Sequence, residues 1–134
     1  MARPSGPKTR CMGQWTESKY VNFIKNILRQ GSRKWAPIHE VMKQANVKRG
    51  FYLCNSCKEE VPTTIKIDGK RYKNVLVDHV EPIIDPDVGF TNFDDFIEGL
   101  FCETDNLQVL CKSCHDRKTK EENERAKLRR SREN

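Results

Sequence analysis

Two cysteine pairs, Cys54-x-x-Cys57 and Cys111-x-x-Cys114, constrain this chain more than anything else in it. In each knuckle two thiolates take adjacent corners of a tetrahedron. Two knuckles complete a closed four-sulfur site of the kind that Zn²⁺ fills at a Zn–S distance of about 2.3 Å. The pairs lie 53 residues apart (positions 58 to 110), so a whole hairpin and a helix must be stitched between them. A structural zinc suits the composition as well. With 134 residues, 36% of them hydrophobic and 33% charged, the chain has a modest core, and small domains often recruit a metal to compensate. The other two cysteines, Cys11 and Cys102, have no matching spacing and read as ordinary small residues, Cys102 buried and Cys11 in an arm.

The first ten residues contain no apolar segment of the kind a leader peptide carries, and no apolar run approaches the ~20 residues needed to cross a bilayer. The expectation is a soluble, cytoplasmic chain with no membrane partner, in a compartment where paired cysteines hold metal rather than disulfides. Charge is unevenly spread. Residues 1–50 hold 11 Lys/Arg against 2 Asp/Glu, residues 51–116 hold 6 against 13, and residues 117–134 hold 8 against 4. Basic flanks suit a polyanion such as nucleic acid, and an acidic centre suits cations, although lysine-rich ends also serve solubility alone.

Local pattern predicts an α+β chain. Residues 1–14, with Pro4, Gly6, Pro7 and Gly13 among basic residues, read as a flexible basic arm. Residues 15–50 read as an N-terminal helical segment. Thr16 caps a first helix that carries Tyr20, Phe23, Ile24, Ile27 and Leu28 on one face and ends at Gly31, and a second helix runs from Pro37 to Ala45. Asp68-Gly69 is the favoured pair for a type I′ turn, so residues 63–67 and 70–79 read as the two strands of one hairpin. A short helix is expected over Thr91–Leu100, with Thr91 as its cap and Asp94 completing a capping box. Asn106 to Leu110 reads as a connector. A final helix is expected from about Lys112 to Arg130, with residues 123–134 as its charged, fraying end.

Within the stretch spanned by the cysteines stand Asp78-His79, Asn106 and His115. Phosphodiester hydrolysis needs a base for water, a cation against the phosphoryl oxygens and help for the leaving oxygen. An imidazole titrates near neutral pH, which makes His79 the natural base. Asp78 and His115 can offer a carboxylate and an imidazole to a catalytic Mg²⁺ or Mn²⁺. Arg117, Lys118 and Lys120, just beyond His115, are candidates for nucleic-acid phosphate contacts. One difficulty is geometric: neighbours on an ideal strand, Asp78 and His79 point to opposite faces. Cys111-x-x-Cys114-His115 also matches the c-type haem attachment pattern, but that chemistry would leave Cys54 and Cys57 without a purpose.

The stretches Val77-Asp-His-Val-Glu-Pro-Ile83 and Asn106-Leu-Gln-Val-Leu-Cys-Lys-Ser-Cys-His-Asp-Arg-Lys-Thr119, set between two cysteine knuckles, resemble the HNH endonucleases, specifically over residues 54–119. Upstream, Phe23-Ile-Lys-Asn-Ile-Leu-Arg29 and Arg33-Lys-Trp35 resemble, more weakly, the leading segment of small phage-type members. The resemblance implies a small zinc-stapled ββα-metal (His-Me finger) core with N-terminal helices and a C-terminal helix, and a nuclease domain over residues 51–122. It implies a metal-dependent DNA endonuclease with His79 as general base and Asp78 and His115 as metal ligands. Asn106 would brace the loop and orient His79. For a phage-encoded member it points to the host cytoplasm and to packaging proteins as partners. The 26 residues between His79 and Asn106 are long for the pattern. An alternative from the same residues is a non-catalytic zinc module that binds nucleic acid or a protein.

Overall fold

The computed structural model describes residues 6–133; residues 1–5 of the expected basic arm and Asn134 of the tail lie outside the described residues. Among the described residues the fold is mixed α+β, with four α-helices and small antiparallel sheets. No helix among the described residues is long and apolar enough to cross a membrane. The chain divides into two compact units, one ending at Lys34 and the other beginning at Trp35.

In the first unit, β1 (Lys8–Arg10) pairs antiparallel with β2 (Trp15–Thr16), so the segment expected to be a flexible basic arm supplies one strand of a small hairpin. Cys11, Met12 and Gly13 turn the chain with positive φ. Helix α1 (Glu17–Ser32) starts as the sequence predicts, with the Thr16 hydroxyl accepting from the Lys19 N–H at 3.2 Å. It passes Gly31 by one residue. Arg10 ties the hairpin to the helix, its Nε 2.8 Å from Glu17 and its guanidinium 4.1 Å from the Tyr20 ring centroid. Trp15 meets Phe23 edge-on at 5.2 Å.

In the second unit, α2 (Ala36–Ala45) opens with Pro37 in its first turn. It then runs into β3 (Asn46–Lys48), which pairs with β4 (Phe51–Leu53), which pairs in turn with β5 (Glu60–Pro62). The Asp-Gly hairpin forms as expected from β6 (Thr64–Ile67) and β7 (Lys70–Lys73), with both Asp68 and Gly69 at positive φ, as a type I′ turn requires.

That hairpin is not the central one. The strand expected to run to His79 breaks at Asn74, and its continuation, β8 (Val75–His79), pairs antiparallel with β9 (Leu107–Cys111). Residues 106–110 were expected to be a connector, yet β9 is the most buried strand of the protein. Leu107, Val109, Leu110 and Cys111 are all interior. Val41 of α2 packs on Val75, Leu107 and Val109, flanked by Ile38 and Met42. This buried apolar face puts α2 in the same compact unit as the cysteines, the one that begins at Trp35.

The long β8–β9 connection carries α3 (Phe93–Leu100), whose Phe96 and Leu100 are buried. Its cap sits one residue later than the sequence suggests. Asn92 accepts from the Asp95 N–H at 2.8 Å, and Thr91 Oγ1 donates to the Asp95 carboxylate. Asp95, not Asp94, therefore completes the cap. A 3₁₀ turn (Thr104–Asn106) leads into β9, and α4 (Lys112–Glu133) follows β9 with no intervening residue.

Asn74 explains the break. Its N–H donates to Thr63 O at 2.9 Å, its Nδ2 donates to Pro62 O at 3.2 Å, and its Oδ1 accepts from the Lys112 N–H at 3.2 Å. One buried side chain thus joins the end of β5 to the first residue of α4. Replacing it by Ala strands a backbone donor and acceptor, at a cost of about 1–3 kcal/mol. Asn74→Ala is expected to lower the urea midpoint with the slope unchanged.

Candidate functional site

The two knuckles meet at the β9–α4 junction. Cys54 follows β4, and the chain reverses behind it: Cys54 N–H donates to Glu59 O at 3.0 Å and Lys58 N–H to Cys54 O at 2.9 Å, with Lys58 at positive φ. Cys111 ends β9 and Cys114 lies in the first turn of α4. The four sulfurs of Cys54, Cys57, Cys111 and Cys114 all lie within 4.8 Å of one another. Tetrahedral zinc needs sulfurs about 3.8 Å apart, a geometry this cluster fits. The cluster can therefore hold a metal ion such as zinc. Cys54, Cys111 and Cys114 are buried while Cys57 faces solvent, and no disulfide competes among the described residues.

The environment prepares one thiolate in advance. Burial opposes ionisation of Cys54, but N–H groups of Cys111, Cys57 and Ser56 aimed at its sulfur outweigh that and pull its thiol down to about 6. The Cys111 N–H stands 3.3 Å from the Cys54 sulfur. Cys111 is driven the opposite way, first by burial and then by the neighbouring sulfurs. A cation shared by all four resolves this conflict, because it stabilises every thiolate at once. The knuckles are also laced to β9 directly, with Asn55 N–H on Val109 O at 2.8 Å and Asn55 Nδ2 on Gln108 Oε1 at 2.9 Å. Metal analysis of the purified protein is expected to find one ion per chain. Cys114→Ala is expected to lose it and to melt at a lower temperature.

Next to this cluster, the end of β8 is occupied in an unforeseen way. Strand alternation sends Asp78 and His79 to opposite faces, and their partners agree. Asp78 faces α4, where its Oδ2 lies 2.9 Å from Lys118 Nζ. That oxygen is shut off from solvent and receives no directional hydrogen bond. Lys118 Nζ also donates to His79 O at 3.1 Å and pairs with Glu122, one helical turn on. Burial alone would lower the Lys118 pKa, but the Glu122 and Asp78 carboxylates outweigh it and hold the ammonium above its ordinary range. Lys118 is therefore engaged inward, not free for a phosphate, whereas Arg117 and Lys120 are exposed. Arg117 Nη2 reaches to 3.7 Å from the Cys114 sulfur.

His79 turns the other way, its Nε2 3.2 Å from Leu100 O. A carbonyl only accepts, so Nε2 carries the proton and the Nδ1 lone pair of the neutral ring is left to act as a base. Asn106, expected to brace the loop and orient His79, grips the backbone after His79: Oδ1 accepts from the Glu81 N–H at 2.8 Å, Nδ2 donates to Glu81 O at 3.4 Å, and Val80 N–H donates to Asn106 O. His115, with Nδ1 3.8 Å from Asp116 Oδ1, lies three residues before Lys118 on α4, the spacing that puts two side chains on one side of a helix. Among the described residues, the four cysteines are the one group of three or more His, Cys, Asp or Glu ligand atoms gathered closely enough for a metal. Asp78, His79 and His115 form no such group.

A groove of about 460 Å³ runs along this side of α4, between the turn at Val80–Pro82 and the side chains of Arg117, Lys118, Glu122 and Arg125. Farther along, Arg125 pairs with Asp87, whose carboxyl it holds below the usual range, and Arg129 donates to Pro86 O at 3.3 Å. Asp87 is thus committed to strapping the 85–89 turn onto the helix. The sequence held a signal for Lys118, since Lys118 and Glu122 are an i,i+4 pair. It held none for Leu100, which acts through its carbonyl.

No family model matches the chain, and neither a curated protein nor a solved structure is significantly similar to it.

Lys118 carries the balance of charge here. Lys118→Met is expected to leave the Asp78 oxygen without a counter-charge and to destabilise the protein by about 1–3 kcal/mol. The double variant with Asp78→Asn should recover part of that loss in a thermodynamic cycle.

Proposed function

We propose that this protein is a metal-dependent DNA endonuclease of the HNH kind, with zinc at its four cysteines. The observation that carries the proposal is the order of elements around the knuckles: β8 ending in Asp78-His79, β9 antiparallel to it, and α4 starting at once with His115 in its first turn. A ββα-metal core requires that order. The resemblance of residues 54–119 to HNH motifs supplies the roles.

The donor set suits a hard divalent ion. Asp78 has a buried carboxylate oxygen with an ammonium in place of a hydrogen bond, and His115 lies on the same side of α4 as that ammonium. Asp78 and His115 would hold one Mg²⁺ or Mn²⁺, which supplies neutralisation of charge on the phosphoryl oxygens. Everything else falls to the chain. His79 takes the proton from water at Nδ1, its ring held by Leu100 O. Asn106 keeps the 80–81 turn from swinging across the strand end. Arg117 and Lys120 offer charge to the backbone of the nucleic acid, and Lys118 must leave Asp78 to join them.

That last requirement is also the observation favouring the second reading, a non-catalytic zinc module, because Lys118 already neutralises Asp78. A supercoiled-plasmid assay separates them. Zinc-loaded protein with added Mg²⁺ or Mn²⁺ is expected to nick or linearise DNA. His79→Ala is expected to slow this by about 10²–10⁴-fold with DNA affinity unchanged. If the wild-type protein leaves both DNA and RNA intact with either ion, the catalytic proposal fails and the binding module stands.

A further inference from the structure

The β6–β7 hairpin has two unlike faces. Directly paired residues share a face of an antiparallel ribbon, so Ile65 with Tyr72 and Ile67 with Lys70 lie on one side, and Thr64 with Lys73 and Lys66 with Arg71 on the other. The first face turns to the start of α4. Ile65 and Ile67 line a cavity of about 300 Å³ with Lys112, Ser113 and Asp116, and Lys112 Nζ stands 5.2 Å from the Tyr72 ring centroid. The second face presents Lys66, Arg71 and Lys73, all exposed. None of the three has an ion-pair partner among the described residues.

This placement is unfavourable for the hairpin by itself. Like charges directly opposite each other weaken a ribbon, and a two-stranded hairpin has little stability to spare. Lys66 faces Arg71 with no carboxylate between them, although the surrounding segment 51–116 is rich in Asp and Glu. A polyanion laid on this face turns the repulsion into attraction.

We propose that the β6–β7 hairpin is a duplex-DNA contact, entering the major groove with Lys66, Arg71 and Lys73 against the phosphates that flank it. The choice of DNA rests on the nuclease reading; the choice of groove rests on shape. A ribbon of four-residue strands is roughly 13 Å long and two strands wide. The B-form major groove, about 12 Å wide, admits such a ribbon, while the A-form groove of RNA is too narrow. Seated on the start of α4, the hairpin brings the duplex to the end of the helix that carries His115.

The test uses the full zinc-loaded chain with His79→Ala, which slows cleavage, and a fluorescent DNA duplex without added Mg²⁺ or Mn²⁺. Substituting Lys66→Gln, Arg71→Gln and Lys73→Gln together is expected to reduce the slope of log affinity against log salt by about 2.7, or about 0.9 per lost phosphate contact. Affinity at moderate salt should fall about tenfold or more. Guanine N7, a major-groove atom, should be shielded from methylation in the parent complex and reactive in the variant complex. The substituted side chains are exposed, and unchanged metal content and circular dichroism verify the fold. An unmoved slope and affinity, or unshielded guanine in the parent complex, would overturn the hairpin contact, and equal losses on an RNA duplex would overturn the choice of DNA. Plasmid cleavage by the chain with His79 intact is scored separately. Cleavage with an unmoved slope removes the hairpin contact alone, and hairpin-dependent binding without cleavage removes the catalytic reading alone.

Discussion

Four sulfurs held within 4.8 Å of one another tie the turn after β4 to the junction of β9 and α4. Asn74 and Asn55 add hydrogen bonds around that junction, but α4 itself brings no apolar face to it. Helix α4 is 22 residues long, mostly polar, and buries one residue along its length, Cys114 itself. A helix without an apolar stripe has no hydrophobic reason to lie where it does. It is held by Cys114 at its start and by charged side chains beyond, Lys118 on Asp78, Arg125 on Asp87 and Arg129 on Pro86 O. The cysteines define its origin, and the ion pairs define its direction.

The same junction organises the polar site. Because α4 begins immediately after Cys111, His115 and Lys118 stand at fixed distances along the helix from the sulfurs, and β9 holds β8 in register from Val75↔Cys111 to His79↔Leu107. Asp78 and His79 at the far end of that register are pulled apart by the pleat, one toward Lys118 and one toward Leu100 O. On the proposed catalytic reading, the division gives each residue a separate environment: Asp78 a cationic one facing α4, His79 a carbonyl that fixes its tautomer. The His79 backbone carbonyl, held by Lys118, is the link between the two sides.

Much of this was legible in the sequence where the signal is local. The Cys-x-x-Cys spacing gave away the cluster, Asp68-Gly69 the hairpin, Thr16 the start of α1 and Pro37 the start of α2. What failed was non-local. Val75 to Val77 reads as a continuation of β7, because the reason for the break is Asn74 bonding to Pro62 and Lys112, neither of which its neighbours announce. Asn106 to Leu110 reads as a connector because β9, buried at four of its five positions, shows little alternation, and its partner β8 ends 27 residues upstream. The cap of α3 moved by one residue because Thr91, Asn92, Asp94 and Asp95 offer two equivalent solutions on paper. The choice of Asn92 with Asp95 follows from which carboxylate can also receive Thr91. The charge of Lys118 reads as a phosphate contact, and its neighbours in sequence do not announce the pairing with the buried Asp78 oxygen.

If a metal ion at the four cysteines fixes the β8–β9 pair and the start of α4, its removal must loosen all three. Amide hydrogen exchange on zinc-loaded and metal-free protein tests it directly, since protection reports local opening residue by residue. Val75–His79, Leu107–Cys111 and the first turn of α4 are expected to lose protection together when the ion is removed, while α1 in the first unit keeps its own. Equal protection of β8, β9 and the start of α4 in both forms would contradict it.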